Sequence, residues 1–228
     1  MKILDAHTHI DYITCDYQHD VVGAVCCSTK ESEWLNLENI IATNNCVYGA
    51  FGVHPWFVND VTNDFDKRLE NLLQTNPNYM VGEIGLDKHK PNMDKQIDVF
   101  IKQLDIAIKL HRNIFIHCVG AWDKMLYIFK QFKKYSCPIF VIHGFNENDD
   151  ILSKLLKYEN VYFSIGKNAL YDRNCRIEQI PSNRILIESD GKSNVSLVDV
   201  LNKIIEIKHD KNMPDIIYNN TSKVLNNE

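Results

Sequence analysis

Residues 80–118 read MVGEIGLDKHKPNMDKQIDVFIKQLDIAIKLHRNIFIHC, and this stretch decides the fold. It opens on a short apolar run, Met80–Gly85, and closes on another, Ile114–Cys118. Between them Ile97, Ile101, Leu104, Ile108 and Leu110 recur at roughly three- and four-residue steps, with Lys102, Gln103, Asp105 and Lys109 interleaved. That spacing predicts an amphipathic helix over Met93–His111. Two short apolar strands joined by a helix form a strand–helix–strand crossover, whose strands run parallel.

The same alternation extends in both directions. Further strands are expected near Lys2–Ile10, Asp20–Cys27, Val47–Val53, Ile139–His143, Val161–Ile165 and Ile185–Glu188. Helices are expected near Glu31–Thr43, Asp64–Thr75, Ala121–Tyr135, Asn148–Lys157 and Ser196–Lys208. A short helix is expected near Asp172–Glu178, and a last one from about Pro214 to Leu225, with Pro214 a natural first helical residue. Eight strands alternating with helices predict a single-domain α/β barrel over residues 1–228, closed on itself; an open doubly wound sheet is the alternative. No repeat or low-complexity segment interrupts the pattern.

Composition bounds the function. The chain has 228 residues, of which 45% are hydrophobic and 24% charged, as in an ordinary globular protein with a real core. No stretch is long and apolar enough to span a bilayer, and Met1-Lys2-Ile3-Leu4 reads as a strand without a signal-peptide core, so a cytoplasmic location is expected. Seven cysteines, an odd number without a Cys-x-x-Cys spacing, read as free thiols, several of them small hydrophobes in apolar strands. A net charge of −5 excludes a protein that grips nucleic acid through bulk positive charge, although bound cations can supply that charge locally.

The chemistry lies at the strand ends. The first strand closes Asp5-Ala6-His7-Thr8-His9, and alternation places Asp5, His7 and His9 on one face. Two imidazoles so spaced can both reach one cation about 2 Å from each nitrogen. Buried, hydrogen-bonded core histidines are the other reading. Glu83, His117, His143 and Asp190 also stand at the ends of apolar runs, where an unligated polar group is costly to bury. In a parallel barrel all six converge on the carboxyl-terminal mouth. Four histidines and two carboxylates suit Zn²⁺, Mn²⁺ or Fe²⁺ rather than an all-oxygen Ca²⁺ site, and six ligands are too many for one tetrahedral ion and right for two. Two such ions can activate a bridging water and stabilise charge on a phosphoryl or carbonyl oxygen. Of the three tryptophans only Trp56 falls beside this mouth, where it could stack on a base.

With these residues in view, the chain resembles the TatD family of metal-dependent deoxyribonucleases, within the amidohydrolase superfamily. The matching segments are Asp5-Ala6-His7-Thr8-His9, Gly52-Val53-His54-Pro55, Gly82-Glu83-Ile84-Gly85-Leu86-Asp87, Gln96 through Ala107, Ile116-His117-Cys118, His143-Gly144-Phe145, Ser164-Ile165-Gly166, Ile187-Glu188-Ser189-Asp190 and Tyr218-Asn219-Asn220. The resemblance implies a (β/α)8 TIM barrel holding two divalent ions (Zn, Mn, Mg or Fe), His7 and His9 on one, His117 and His143 on the other, and Glu83 bridging. Asp190 would bind the first ion and take a proton from the nucleophilic water, and His54 would contact a substrate phosphate. The expected substrate is a DNA end or a small phosphoester, and a monomer without an obligate protein partner is expected.

The chain departs from the family pattern at defined points. Trp56 replaces a second histidine after His54-Pro55, Val119 and Gly120 stand where an arginine commonly follows the His-Cys pair, Lys88 and His89 replace an aromatic residue, and Gly191-Lys192 replaces Ala-Pro after Asp190. Lys88, Lys90, Lys167 or Lys192 can supply positive charge there, or simply be solvated. The alternatives to a phosphodiesterase are a two-metal hydrolase of a small-molecule ester or amide, and a non-catalytic metal-binding barrel.

Overall fold

A computed structural model of the chain describes residues 2–12, 20–132, 138–171, 176–192 and 196–226. Its strands are β1 (Ile3–Thr8), β2 (Val21–Cys27), β3 (Val47–Phe51), β4 (Met80–Asp87), β5 (Ile114–Val119), β6 (Phe140–Ile142), β7 (Val161–Ile165) and β8 (Ile185–Ile187). The helices are α1 (Trp34–Thr43), α2 (Phe65–Thr75), α3 (Met93–Lys109), α4 (Trp122–Phe132), α5 (Asp149–Leu155), α6 (Asn168–Tyr171), α7 (Leu197–Lys208) and α8 (Met213–Leu225). The strands follow one another in order β1 to β8, each parallel to the next. The chain after β8 returns to β1: the Ser189 amide donates to Asp5 Oδ1 at 2.9 Å and the Asp190 amide to the His7 carbonyl at 3.0 Å. This is the (β/α)8 barrel, not the open sheet.

Side-chain alternation splits the core into two layers. On β5, Ile114 and Ile116 face the helices, while Phe115 joins Val25, Cys27, Ala50, Met80, Val141, Tyr162 and Leu186 in the barrel interior. Those side chains form a floor beneath the mouth. At the opposite end Asn113 donates to the Val224 carbonyl at 2.7 Å and accepts from the Ile139 amide at 2.8 Å, tying α8 to the base of the barrel. Asn220 holds α8 to β8 through the Ser182 and Ile185 carbonyls, both at 2.8 Å. Asn148 and Ser196 cap α5 and α7 by accepting from Ile151 and Asp199 amides, and Pro214 stands in the first turn of α8 as expected.

The boundaries differ from the sequence pattern where tertiary contacts intervene. β1 stops at Thr8, and its ladder with β2 slips between Asp5 and Thr8, so strict alternation from Asp5 to His9 fails. Asp5 turns instead toward β8, accepting from Ser189 N, Ser189 Oγ and His7 N. β4 runs two residues further than expected because Leu86 and Asp87 pair with Cys118 and Val119. α4 ends at Phe132 and the rest of its expected span lies outside the described residues. The helix expected at Asp172–Glu178 falls mostly outside them too; α6 precedes it and a 3-10 turn, Ile177–Gln179, overlaps its end.

One glycine is demanded by packing. Gly85 pairs with His117 across β4 and β5, and a Cβ there would stand 1.8 Å from the His117 carbonyl oxygen, with Gly85 at φ 152°. Backbone cannot yield as a side-chain tip can. Gly85→Ala is expected to destabilise the barrel by about 1–3 kcal/mol and to weaken metal binding by displacing His117. Chemical denaturation and a metal titration would check this; wild-type values in both would refute it.

Candidate metal centre

Glu83 lies at the middle of the site. It is buried, its amide donates to the Ser28 carbonyl at 2.9 Å, and its carboxylate projects into the mouth. Oε2 is 3.3 Å from His7 Nε2 and 3.5 Å from His9 Nε2. Those two nitrogens are 3.3 Å apart, and Asp190 Oδ1 stands 3.9 Å from the first and 3.7 Å from the second. Donors bound tetrahedrally at about 2.0–2.2 Å from one ion are separated by roughly 3.3–3.6 Å. His7, His9, Glu83 and Asp190 therefore form a nest of the right size for one cation. Glu83 Oε1 faces a second set: His117 Nδ1 at 2.9 Å and His143 Nε2 at 3.0 Å, themselves 3.2 Å apart. The structure thus brings together all six side chains singled out from the sequence.

The outer contacts decide what each ring can do. His9 Nδ1 lies 3.1 Å from the Cys27 carbonyl, which can only accept, so Nδ1 carries the proton and Nε2 presents a lone pair to the nest. His143 Nδ1 lies 3.3 Å from Glu188 Oε1, with the same consequence for its Nε2. His54 is opposite in sense. Its Nδ1 accepts from the Trp56 amide at 3.2 Å, so the neutral ring carries its proton on Nε2, 3.4 Å from Glu83 Oε1. By distance alone His54 groups with Glu83 and His117 as a possible ligand. Its tautomer makes it a donor to an oxygen, not a ligand to an ion.

The electrostatics fit a cation site. Burial alone would raise the Glu83 carboxyl, but His143, His54 and His7 hold it well below the usual carboxylate range. Burial likewise works against Asp190, yet the His9 hydrogen bond, the charges at His143 and His7, and Lys192 keep it ionised. Burial lowers His7 and His54, favouring neutral rings. His143 is opposed by burial but raised by Glu83 and Glu188, and His9 is opposed by burial but raised by Asp190, Glu83 and the Cys27 carbonyl. Among the described residues, His7 Nδ1, Glu83 Oε1 and His117 Nε2 are buried without a hydrogen-bond partner. Facing lone pairs about a bridging carboxylate are stable when a cation lies between them. The donors present fit divalent ions.

Several contributing residues escape the sequence pattern. Glu188 is fully buried, accepts from the Gly144 amide at 2.7 Å and orients His143. Asp87 is buried 3.7 Å from His117 Nε2 and accepts from Trp56 Nε1 at 2.7 Å. Gln103, expected among the polar positions of α3, is buried instead: it accepts from the Val53 amide at 2.7 Å and donates to the Val53 carbonyl at 3.1 Å, fixing the segment that carries His54. Asp5, pushed up to about 7 by burial, locks β8 beside β1. A charged residue inside or directly after an apolar run was the available signal for Glu188 and Asp87. Cys26, Cys27, Cys46 and Cys118 are free thiols; Cys118 packs toward the helix layer, and burial raises its thiol and those of Cys26 and Cys27.

Barrel and cluster together define a (β/α)8 protein with a candidate divalent-metal centre at its mouth. The family model described as TatD related DNase matches residues 4–226, and the chain belongs to that family. The human 3'-5' RNA nuclease TATDN2 is 32% identical over 157 residues, covering 64% of this chain and 20% of that protein, so the match spans one fifth of that relative's length. The uncharacterized metal-dependent hydrolase BU355 of Buchnera aphidicola is 27% identical over 218 residues, covering 84% of this chain and 81% of the relative. The crystal structure of YJJV, a TatD homologue from Escherichia coli, superposes with a TM-score of 0.86 over 98% of each chain at 19% identity, which establishes the shared fold.

Proposed function

We propose that this chain is a two-metal phosphodiesterase acting on the ends of single-stranded nucleic acid. The observation that carries this reading is Glu83: one buried carboxylate whose two oxygens each face a pair of imidazole nitrogens at ligand spacing. His7, His9 and Asp190 would hold one ion with Oε2, and His117 and His143 the other with Oε1. Imidazole-rich donors favour Zn or Fe over Mg. When bound, such a pair supplies Lewis acidity, lowering the pKa of water and neutralising charge on phosphoryl oxygens.

The remaining steps belong to the chain itself. Asp190 Oδ1 faces His7 and His9, while Oδ2 faces the mouth, where Lys192 meets it. Oδ2 would accept the proton of the attacking water once Lys192 yields it. His54, with its proton on Nε2, would donate to a non-bridging phosphate oxygen, a role its tautomer allows. Trp56, half exposed on the rim, offers its ring to a base. The nuclease activity named for the human relative and the family's description support a polynucleotide substrate.

The test is metal removal with a chelator, add-back of Zn²⁺, Mn²⁺, Mg²⁺ or Fe²⁺, and assay on bis(p-nitrophenyl) phosphate and a single-stranded oligonucleotide. Activity should vanish with the metal and return with at least one ion. Stoichiometric metal binding without cleavage of either substrate would sink the phosphodiesterase reading. Cleavage of the small diester alone would restrict it to small phosphoesters.

A further inference from the structure

We propose that Lys88, Lys90 and Trp56 form a strand-binding subsite on the rim of the barrel. The indole takes a nucleobase, and the two ammonium groups take the phosphates that flank the scissile bond. This rests on the phosphodiesterase reading of the neighbouring centre.

The loop after β4 is held, not loose. Gln96 of α3 is buried and accepts from the Asp87 amide at 2.8 Å. Its Nε2 donates to the carbonyls of Asp87, Lys90 and Pro91 at 3.1, 3.3 and 3.1 Å. The Lys88 amide donates to the Val119 carbonyl at 3.0 Å. Beyond it the Lys88 stem lies across Gly120, where a Cβ would stand 2.5 Å from Cδ and Cε. Any other residue at position 120 would push that stem away. Val119 and Gly120 occupy the place where the family pattern carries an arginine, so a cation reaches this part of the rim from the neighbouring strand.

Lys90 is placed as definitely. Its ammonium sits 4.0 Å from the centroid of the Trp56 ring. The indole is fixed from below by its hydrogen bond to Asp87, whose same oxygen is 3.7 Å from His117 Nε2. The subsite is therefore one side chain removed from the candidate metal centre. Trp56 remains 51% exposed. Lys30 and Lys192 pair with Glu33 and Asp190, whereas no carboxylate partner for Lys88 or Lys90 is found among the described residues. In a chain of net charge −5, a lysine stacked on a half-exposed indole, with a second lysine two residues away on the same loop and neither on a carboxylate, marks an anionic, aromatic ligand that exchanges with Lys90 for the ring. An unpaired base on a phosphate backbone has both properties, and a base within a duplex has no free face to stack. Pre-positioned side chains also lose little freedom on binding.

The test is fluorescence anisotropy of a labelled phosphorothioate octathymidylate, which resists cleavage, on the metal-loaded protein across a salt series. Bis(p-nitrophenyl) phosphate hydrolysis is measured in parallel. Trp56→Ala is expected to weaken strand binding at least about fivefold. Lys88→Ala should weaken it and reduce the log–log salt slope by about 0.7, and Lys88→Arg should restore that slope. On cleavable oligonucleotide, both alanine variants should lose several times more kcat/KM than they lose on the small diester. Wild-type affinity and slope in both alanine variants, or no strand binding by the wild type, would overturn the subsite. A strand that binds as expected while the small diester is never cleaved would instead overturn the phosphodiesterase reading.

Discussion

Glu83→Ala is expected to empty both metal nests and to abolish measurable diester hydrolysis. Losing even an outer partner of a metal ligand costs roughly 10–100-fold in affinity or activity. Glu83 faces both nests, so the two losses multiply to on the order of 10²–10⁴-fold as a minimum. The substitution also leaves the surrounding imidazoles without their shared counter-charge, because His143 owes its raised pKa, against the effect of burial, to Glu83 first and Glu188 second. Glu83→Gln separates charge from shape: it keeps an oxygen facing one nest and places an amide NH2 toward the other, so one ion should be lost more completely than its neighbour. Metal per chain by elemental analysis, together with kcat/KM on bis(p-nitrophenyl) phosphate, gives the answer. Two metals per chain in Glu83→Ala, with activity within tenfold of wild type, would remove Glu83 from the centre.

The six clustered side chains were legible because each is a polar residue closing an apolar run, and a parallel barrel gathers such ends at one mouth. Their partners were less legible, for a physical reason. Gln96 and Gln103 sit at helical spacings that also suit a solvated face; only the tertiary fold aims them at the Asp87 loop and at Val53. Glu188 reads as the continuation of a strand end until the β6–β8 neighbourhood places it against His143. Alternation misplaced Asp5, because the slip between β1 and β2 turns its carboxylate to Ser189. The resemblance implied only a substrate contact at His54. The amide of Trp56, two residues on, holds Nδ1 as an acceptor, and a local hydrogen bond of that kind is invisible to spacing. The family pattern covered nearly the whole chain, and two of its departures touch: the Lys88 stem lies across Gly120, while Trp56 is hydrogen-bonded to Asp87, the residue before Lys88.

The site also depends on what lies beneath it, and Phe115→Ala is expected to show the largest loss of stability. Phe115 is fully buried in the barrel interior, two residues before His117 on the same strand. Its ring is 6.4 Å from that of His7, and β4 already lies against it, since a Cβ on Gly82 would stand 2.7 Å from Phe115 Cβ. The floor therefore cannot close over a missing ring without moving β4, and with it Glu83. Truncating a buried phenylalanine costs about 3–5 kcal/mol. For a chain of this size each kcal/mol lowers the melting temperature by about 2–4 °C, so a fall of roughly 6–20 °C is expected in the metal-free protein. Phe115→Leu, which refills most of the volume, should cost less than about 1.5 kcal/mol. Tyr127→Ala, at an exposed position on α4, should stay within about 0.5 kcal/mol of wild type. A melting temperature for Phe115→Ala within 2 °C of wild type would mean that the floor repacks. In that case the spacing of the two nests would have to be held from above, by the Asp5–Ser189 closure and the Glu188–His143 contact, and removing those contacts should then produce the loss that the phenylalanine did not.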